Sequence, residues 1–179
     1  MPDEFTHNGV TVRIEPDPDP EDPSSWFLGK LAYLRSSRYT LGNEPVSNER
    51  LDEIGAMTDD ECVRLPLYAY VHSGTALNTT GFSCPWDSGQ CGFAYADAEA
   101  VKSQYGVQAI TPEIRRRAEE CLKAEVEAFS NYLGGGYYGY VIEDEDGDQI
   151  DSCWGFDDYD YCVEMAKEAA DNARQAATA

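Results

Sequence analysis

Residues 111–136 carry the pattern that most restricts the fold. Thr111 offers a capping hydroxyl and Pro112 stands at the first helical position. Ile114, Ala118, Cys121, Leu122, Val126, Phe129 and Leu133 then recur at three- and four-residue steps. Gly134-Gly135-Gly136 stops the run. A long helix with one apolar stripe must lie against another apolar layer to be stable. Strand-forming runs flank it on both sides. Leu65 to His72 and Cys91 to Ala96 read as strands upstream. Downstream, Tyr137 to Glu145 and Asp148 to Phe156 read as a hairpin turned by Asp146-Gly147.

The remaining segments fit the same frame. Val10 to Ile14 alternates with period two and reads as a short edge strand, and Leu28 to Arg35 as another. Ser47 caps a short helix to Ile54, and Asp97 caps one over Ala98 to Tyr105 that stops at Gly106. Residues 73–90 read as a loop. A last helix from Tyr161 to Gln175 places Cys162, Met165, Ala166, Ala169 and Ala173 on one stripe. Strands grouped apart from helices indicate an α+β fold: a mainly antiparallel sheet with helices packed on one face, in a single domain. The length of 179 residues suits one domain. The Pro/acid alternation from Glu15 to Pro23 suits neither helix nor ladder, so residues 1–25 are expected as an extended segment and 26–179 as the domain.

Charge narrows the function. Asp and Glu number 34 against 13 Lys and Arg, a formal −21. Such a chain repels phosphate, which argues against direct nucleic-acid binding and against anionic membrane surfaces. No apolar run reaches the roughly 18 residues of a spanning helix, and MPDEFTHNG has no leader pattern, so a cytoplasmic location is expected. Six cysteines (Cys62, Cys84, Cys91, Cys121, Cys153, Cys162) form no CxxC pair and read as reduced thiols; no metal site and no cofactor are expected. Aligning Gly147 on a calcium-loop template leaves Ile142 and Cys153 at positions that need carboxylates, which rules out an EF-hand.

Three constellations remain. His72, Cys84 and Asp87 are candidates for a small Cys/His enzyme if the fold joins them. The loop Pro85-Trp86-Asp87-Ser88-Gly89-Gln90 either folds its indole onto the core or presents Trp86 to a partner. Residues 141–179 hold 12 acidic residues against Lys167 and Arg174 alone. Asp144, Glu145, Asp146, Asp148, Asp151, Asp157, Asp158 and Asp160 crowd the hairpin and its exit, at a cost in self-repulsion that folding does not require.

Pro85 to Gln90 (PWDSGQ) and Asp151 to Phe156 (DSCWGF), with Leu65-Pro66-Leu67-Tyr68 and His72-Ser73-Gly74, resemble a family of small proteins from phages, prophages and mobile elements. The likeness runs from about Trp26 to Cys162. Val71 stands where that family often has Asp before the His-Ser-Gly. The resemblance implies an accessory protein and supplies no catalytic residues. With the acid cluster it leads to an expected function: a non-enzymatic anti-defence inhibitor whose carboxylates imitate the phosphates of nucleic acid. Its expected partner is a basic nucleic-acid-binding host protein, such as a nuclease or a CRISPR or restriction effector. The alternatives are a protein-interaction module using Trp86, and the Cys/His enzyme.

Overall fold

The computed structural model describes residues 3–177, with side chains in the last helix as far as residue 173. In chain order it begins with β1 (Asp3–His7), β2 (Val10–Pro16), a one-turn 3-10 helix (Pro23–Trp26), β3 (Lys30–Leu34), β4 (Glu44–Val46) and α1 (Asn48–Ala56). Next come β5 (Cys62–Val71), β6 (Thr75–Asn78), β7 (Ser88–Asp97), α2 (Ala98–Tyr105) and α3 (Pro112–Gly134). The chain finishes with β8 (Tyr138–Glu143), β9 (Gln149–Phe156) and α4 (Tyr159–Ala177). The fold is α+β with mostly antiparallel sheets. The chain divides into two compact units, one made from both ends (Met1–Glu21 with Gly135–Ala179) and one from Asp22–Gly134. No helix among the described residues is long and apolar enough to cross a membrane.

In the first unit the strand order is β1-β2-β8-β9, antiparallel throughout. Val12, Ile14, Tyr140 and Ile142 bury one face of the sheet against Cys162, Ala166 and Ala170 of α4, whose small side chains let the helix approach closely. The segment leading to Pro16 is therefore not simply extended, and Val10–Ile14 is not an edge. Asn8 (φ 51°) and Gly9 (φ 87°) turn the chain in the left-handed region, adding β1 outside β2. The β8–β9 connection also differs from a two-residue turn. Asp144 pairs with Asp148 through its N–H, Gly147 N–H returns to the Asp144 carbonyl, and Gly147 (φ 84°) takes the left-handed position, giving a three-residue loop.

In the second unit the order is β4-β3-β7-β5-β6, with only the short β3–β4 pair parallel. Leu31, Tyr33 and Ala94 meet Val126 and Phe129 of α3. Neighbouring residues of alternate parity, Ala32 and Tyr95, meet Ile54 of α1 instead. Since successive side chains point to opposite faces, α3 covers one face, joined by Val101 of α2 in the cluster around Leu122. The short α1 adds cover on the other face.

The caps expected at Ser47, Asp97 and Thr111 all form, each accepting a backbone N–H three residues on. Within the expected 73–90 loop lies β6, a four-residue strand that pairs with β5 and sits under α3 through the Leu77 N–H to Ser130 Oγ bond (2.9 Å). His72-Ser73-Gly74 is the connection of the β5–β6 hairpin, closed by His72 N–H on the Gly74 carbonyl.

Candidate functional site

Net charge is distributed unequally between the two units. In the first, Asp and Glu number 18 against 3 Lys and Arg, a net −15. In the second, although it is the longer, they number 16 against 10, a net −6. All eight carboxylates singled out from the sequence belong to the first unit, and Trp86 belongs to the second.

The eight fall into groups around one strand. Asp144, Glu145, Asp146 and Asp148 occupy the β8–β9 tip; Asp157, Asp158 and Asp160 surround the start of α4; Asp151 lies on β9 between them. An eight-residue strand spans about 27 Å at ~3.4 Å per residue. The arrangement is thus two acidic poles joined by a strand rather than one even stripe.

Local structure explains three of the eight. The Asp144 carboxylate accepts the N–H groups of Asp146 (3.0 Å) and Asp148 (2.9 Å), which fixes the loop. The Asp151 carboxylate accepts the Ser152 N–H at 2.8 Å. Asp158 caps α4 by accepting the Tyr161 N–H at 2.7 Å. Asp160 in the first helical turn gains from the positive end of the helix dipole, which offsets part of the repulsion at this pole. Glu145, Asp146, Asp148 and Asp157 are exposed and have no such structural duty.

The described cations of the first unit are engaged elsewhere. Arg13 grips Glu143 with two nitrogens at 2.8 Å and reaches Glu15 at 3.2 Å. Lys167 lies over the Phe5 ring, 5.6 Å from its centre. The side chain of Arg174 falls outside the described residues. Among the described residues none of the eight carboxylates has a Lys or Arg partner within 4.0 Å, and no group of three or more metal-ligating side chains gathers.

Trp86 does not fold back on the core. Its side chain is 91% exposed at the tip of the loop before β7. The loop beneath is held by Val71 N–H on the Asp87 carbonyl (2.9 Å), by the Ser88 hydroxyl on the Cys84 carbonyl, and by Asn78, which bonds both the N–H and the carbonyl of Gly81. A large indole stands in solvent on a fixed base.

The Cys84/His72/Asp87 set is only partly assembled. Cys84 Sγ lies 3.8 Å from Asp87 Oδ2, whereas the His72 ring stacks on Tyr70 at 6.4 Å. Among the described residues no hydrogen bond joins His72 to Cys84, and a carboxylate beside a thiol is not the cationic or basic neighbour that activates one.

One buried charge escaped sequence reasoning. Glu125 lies on the inner face of α3, 7% exposed, and accepts the backbone N–H groups of Leu28 and Gly29 (3.1 Å for the latter). Cys121 Sγ adds a contact at 3.4 Å. Desolvation raises the Glu125 pKa, against the lowering effect of the two backbone bonds, and desolvation likewise pushes the Cys121 thiol up to about 11. The role of Glu125 is to tie the entry of β3 to α3.

Comparison of the chain with protein-family models, curated proteins and solved structures finds no match.

Proposed function

We propose that the protein is a non-enzymatic inhibitor that occupies the basic nucleic-acid channel of a nuclease, a restriction enzyme or a CRISPR effector through the carboxylates around β9. The observation that carries this reading is the concentration of charge: a net −15 in the shorter of the two units, with eight carboxylates unpaired by any described cation. The resemblance to phage and mobile-element proteins supplies the setting. Long-range attraction to a Lys/Arg-lined groove makes association fast and strongly salt-dependent.

The test is a binding titration against a panel of such effectors from 50 to 500 mM salt. We expect affinity to fall by at least about tenfold across that range, as for ligands that displace several counterions. Lysine at Glu145, Asp146, Asp148 and Asp157 should lower it by roughly a hundredfold at low salt, since each close charge pair is worth on the order of 1 kcal/mol or more. Asp144 and Asp158 are left intact, because both hold backbone amides. Binding that ignores salt and survives the reversal would sink the reading.

The exposure of Trp86 supports a second reading, a module that inserts this indole into an apolar pocket of a partner. Trp86→Ala would then reduce binding by roughly thirtyfold or more, as at an interface hot spot, while the four reversals change it little.

A further inference from the structure

Apart from Asp151, the DSCWGF motif plays no part in the charge argument, yet it forms most of β9, the last strand of the first sheet. Among the described residues β9 pairs on one side only, with β8, and six of its eight residues are exposed. An edge of this kind presents backbone donors and acceptors that an added strand can pair with, the Ser152 N–H being the one that must first leave the Asp151 carboxylate.

Three features set this edge apart. First, its regular register is short and defined. Asp151, Ser152, Cys153 and Trp154 face Ile142, Val141, Tyr140 and Gly139, with a register shift at each end and Gly155 (φ 91°) closing the run. Second, it carries exposed apolar groups, Ile150 at 44% and Trp154 at 40%. The Trp154 indole is seated on Gly139, where even a Cβ would come within 2.1 Å of the ring, so it forms a preset platform. Third, both ends of the run are acidic, with Glu145, Asp146 and Asp148 before it and Asp157 and Asp160 after it.

β1, the opposite edge, lacks these features. It exposes no large hydrophobic group, and its side chains Asp3 and His7 are tied to Tyr159 and Asp171 of α4. A second copy of the chain is a poor occupant of β9, because two units of net −15 would meet acid to acid.

We infer that β9 accepts a short extended segment of a basic partner as an added antiparallel or parallel strand, with an apolar residue against Trp154 and Lys or Arg at both ends. This rests on the acidic-surface reading above and adds the mode of recognition: backbone pairing supplies register, and the two acidic poles supply charge selection.

The probe is a synthetic peptide of alternating valine and threonine with two arginines at each end, offered to the full-length protein. Two further copies carry N-methyl groups on one or the other alternating set of backbone amides. The expected result is binding at 50 mM salt, slowed amide exchange across Asp151–Trp154, and at least a tenfold loss of affinity for one N-methylated copy but not the other. Equal binding of all three peptides, lost on reversal of Glu145, Asp146, Asp148 and Asp157, would overturn strand addition while leaving the acidic reading standing. Binding blocked by one N-methylated set but indifferent to the reversal would overturn the basic partner and the acidic reading together. If none of the three peptides binds, the inference is overturned.

Discussion

Gly92→Ala should unfold or severely weaken the protein. Gly92 lies at the crossing of β7 and β3, opposite Tyr33, and a Cβ there would come within 1.9 Å of the Ala32 carbonyl oxygen and 2.9 Å of its carbon. Backbone atoms of a central sheet have nowhere to retreat. The strands must separate, losing ladder bonds on a layer that buries Leu31, Ala32 and Ala94 completely. We expect a loss of about 3 kcal/mol or more, or roughly 10 °C in melting temperature for a chain of this size. Gly89→Ala, on the same strand with nothing within 4 Å of its added Cβ, is the control. It should change stability by less than about 1 kcal/mol. Similar melting curves for the two variants would show that β3 and β7 are not packed as described.

Glu125→Ala should be the next most damaging change. It removes the acceptor for both the Leu28 and the Gly29 N–H groups and leaves Gly29, in close packing against Leu122, with its donor buried. Unsatisfied buried donors, added to lost charge-assisted bonds, cost about 2–4 kcal/mol. Glu125→Gln retains one acceptor and should cost less.

The pH dependence separates hydrogen bonding from charge. Burial raises the folded-state pKa of Glu125. The stability associated with a raised carboxylate pKa is fully present below the unfolded value and is lost as pH rises through the folded one. Wild type should therefore gain on Glu125→Gln as pH falls from about 7 to about 4, the ordinary carboxylate range being near 4.3. Urea midpoints for both proteins at each pH supply the measurement, and a gap that is flat or narrows toward acid would contradict a desolvated carboxylate.

Much of the architecture was legible because it is written in local chemistry. Thr111-Pro112 before a periodic run, Asp97 before Ala98, and Ser47 before a helical spacing all specify caps, which need only the residues beside them. The missing pieces fail in a different way. β4 and β6 have three and four residues, too few to show a period, and both exist because longer neighbours offer them an edge. β1 was readable in principle. Asn8-Gly9 between Asp3–His7 and Val10–Pro16 is a strong hairpin signal, obscured by the proline-acid stretch that follows.

The candidate site divides the same way. The density of carboxylates is a property of sequence, whereas their separation into two poles depends on β9 running between tip and helix. Asp144 and Asp158 look like surface acids in sequence, yet each holds backbone amides. Glu125 could not be anticipated as a buried charge, because it falls among the stripe positions of α3 only as one more glutamate, and its partners are nearly a hundred residues away at Leu28 and Gly29.

The pairing of β2 with β8 joins Thr11 to Glu143 and Pro16 to Tyr138. During synthesis, the β1–β2 hairpin leaves the ribosome long before β8 and waits with Val12 and Ile14 uncovered while the whole of the intervening stretch is made. That stretch, with short-range pairings of its own, has the chance to fold first. The unit bearing most of the acid is completed only once α4 has emerged, so truncation ahead of β8 should leave a protein that has its α3 layer but lacks the eight carboxylates around β9.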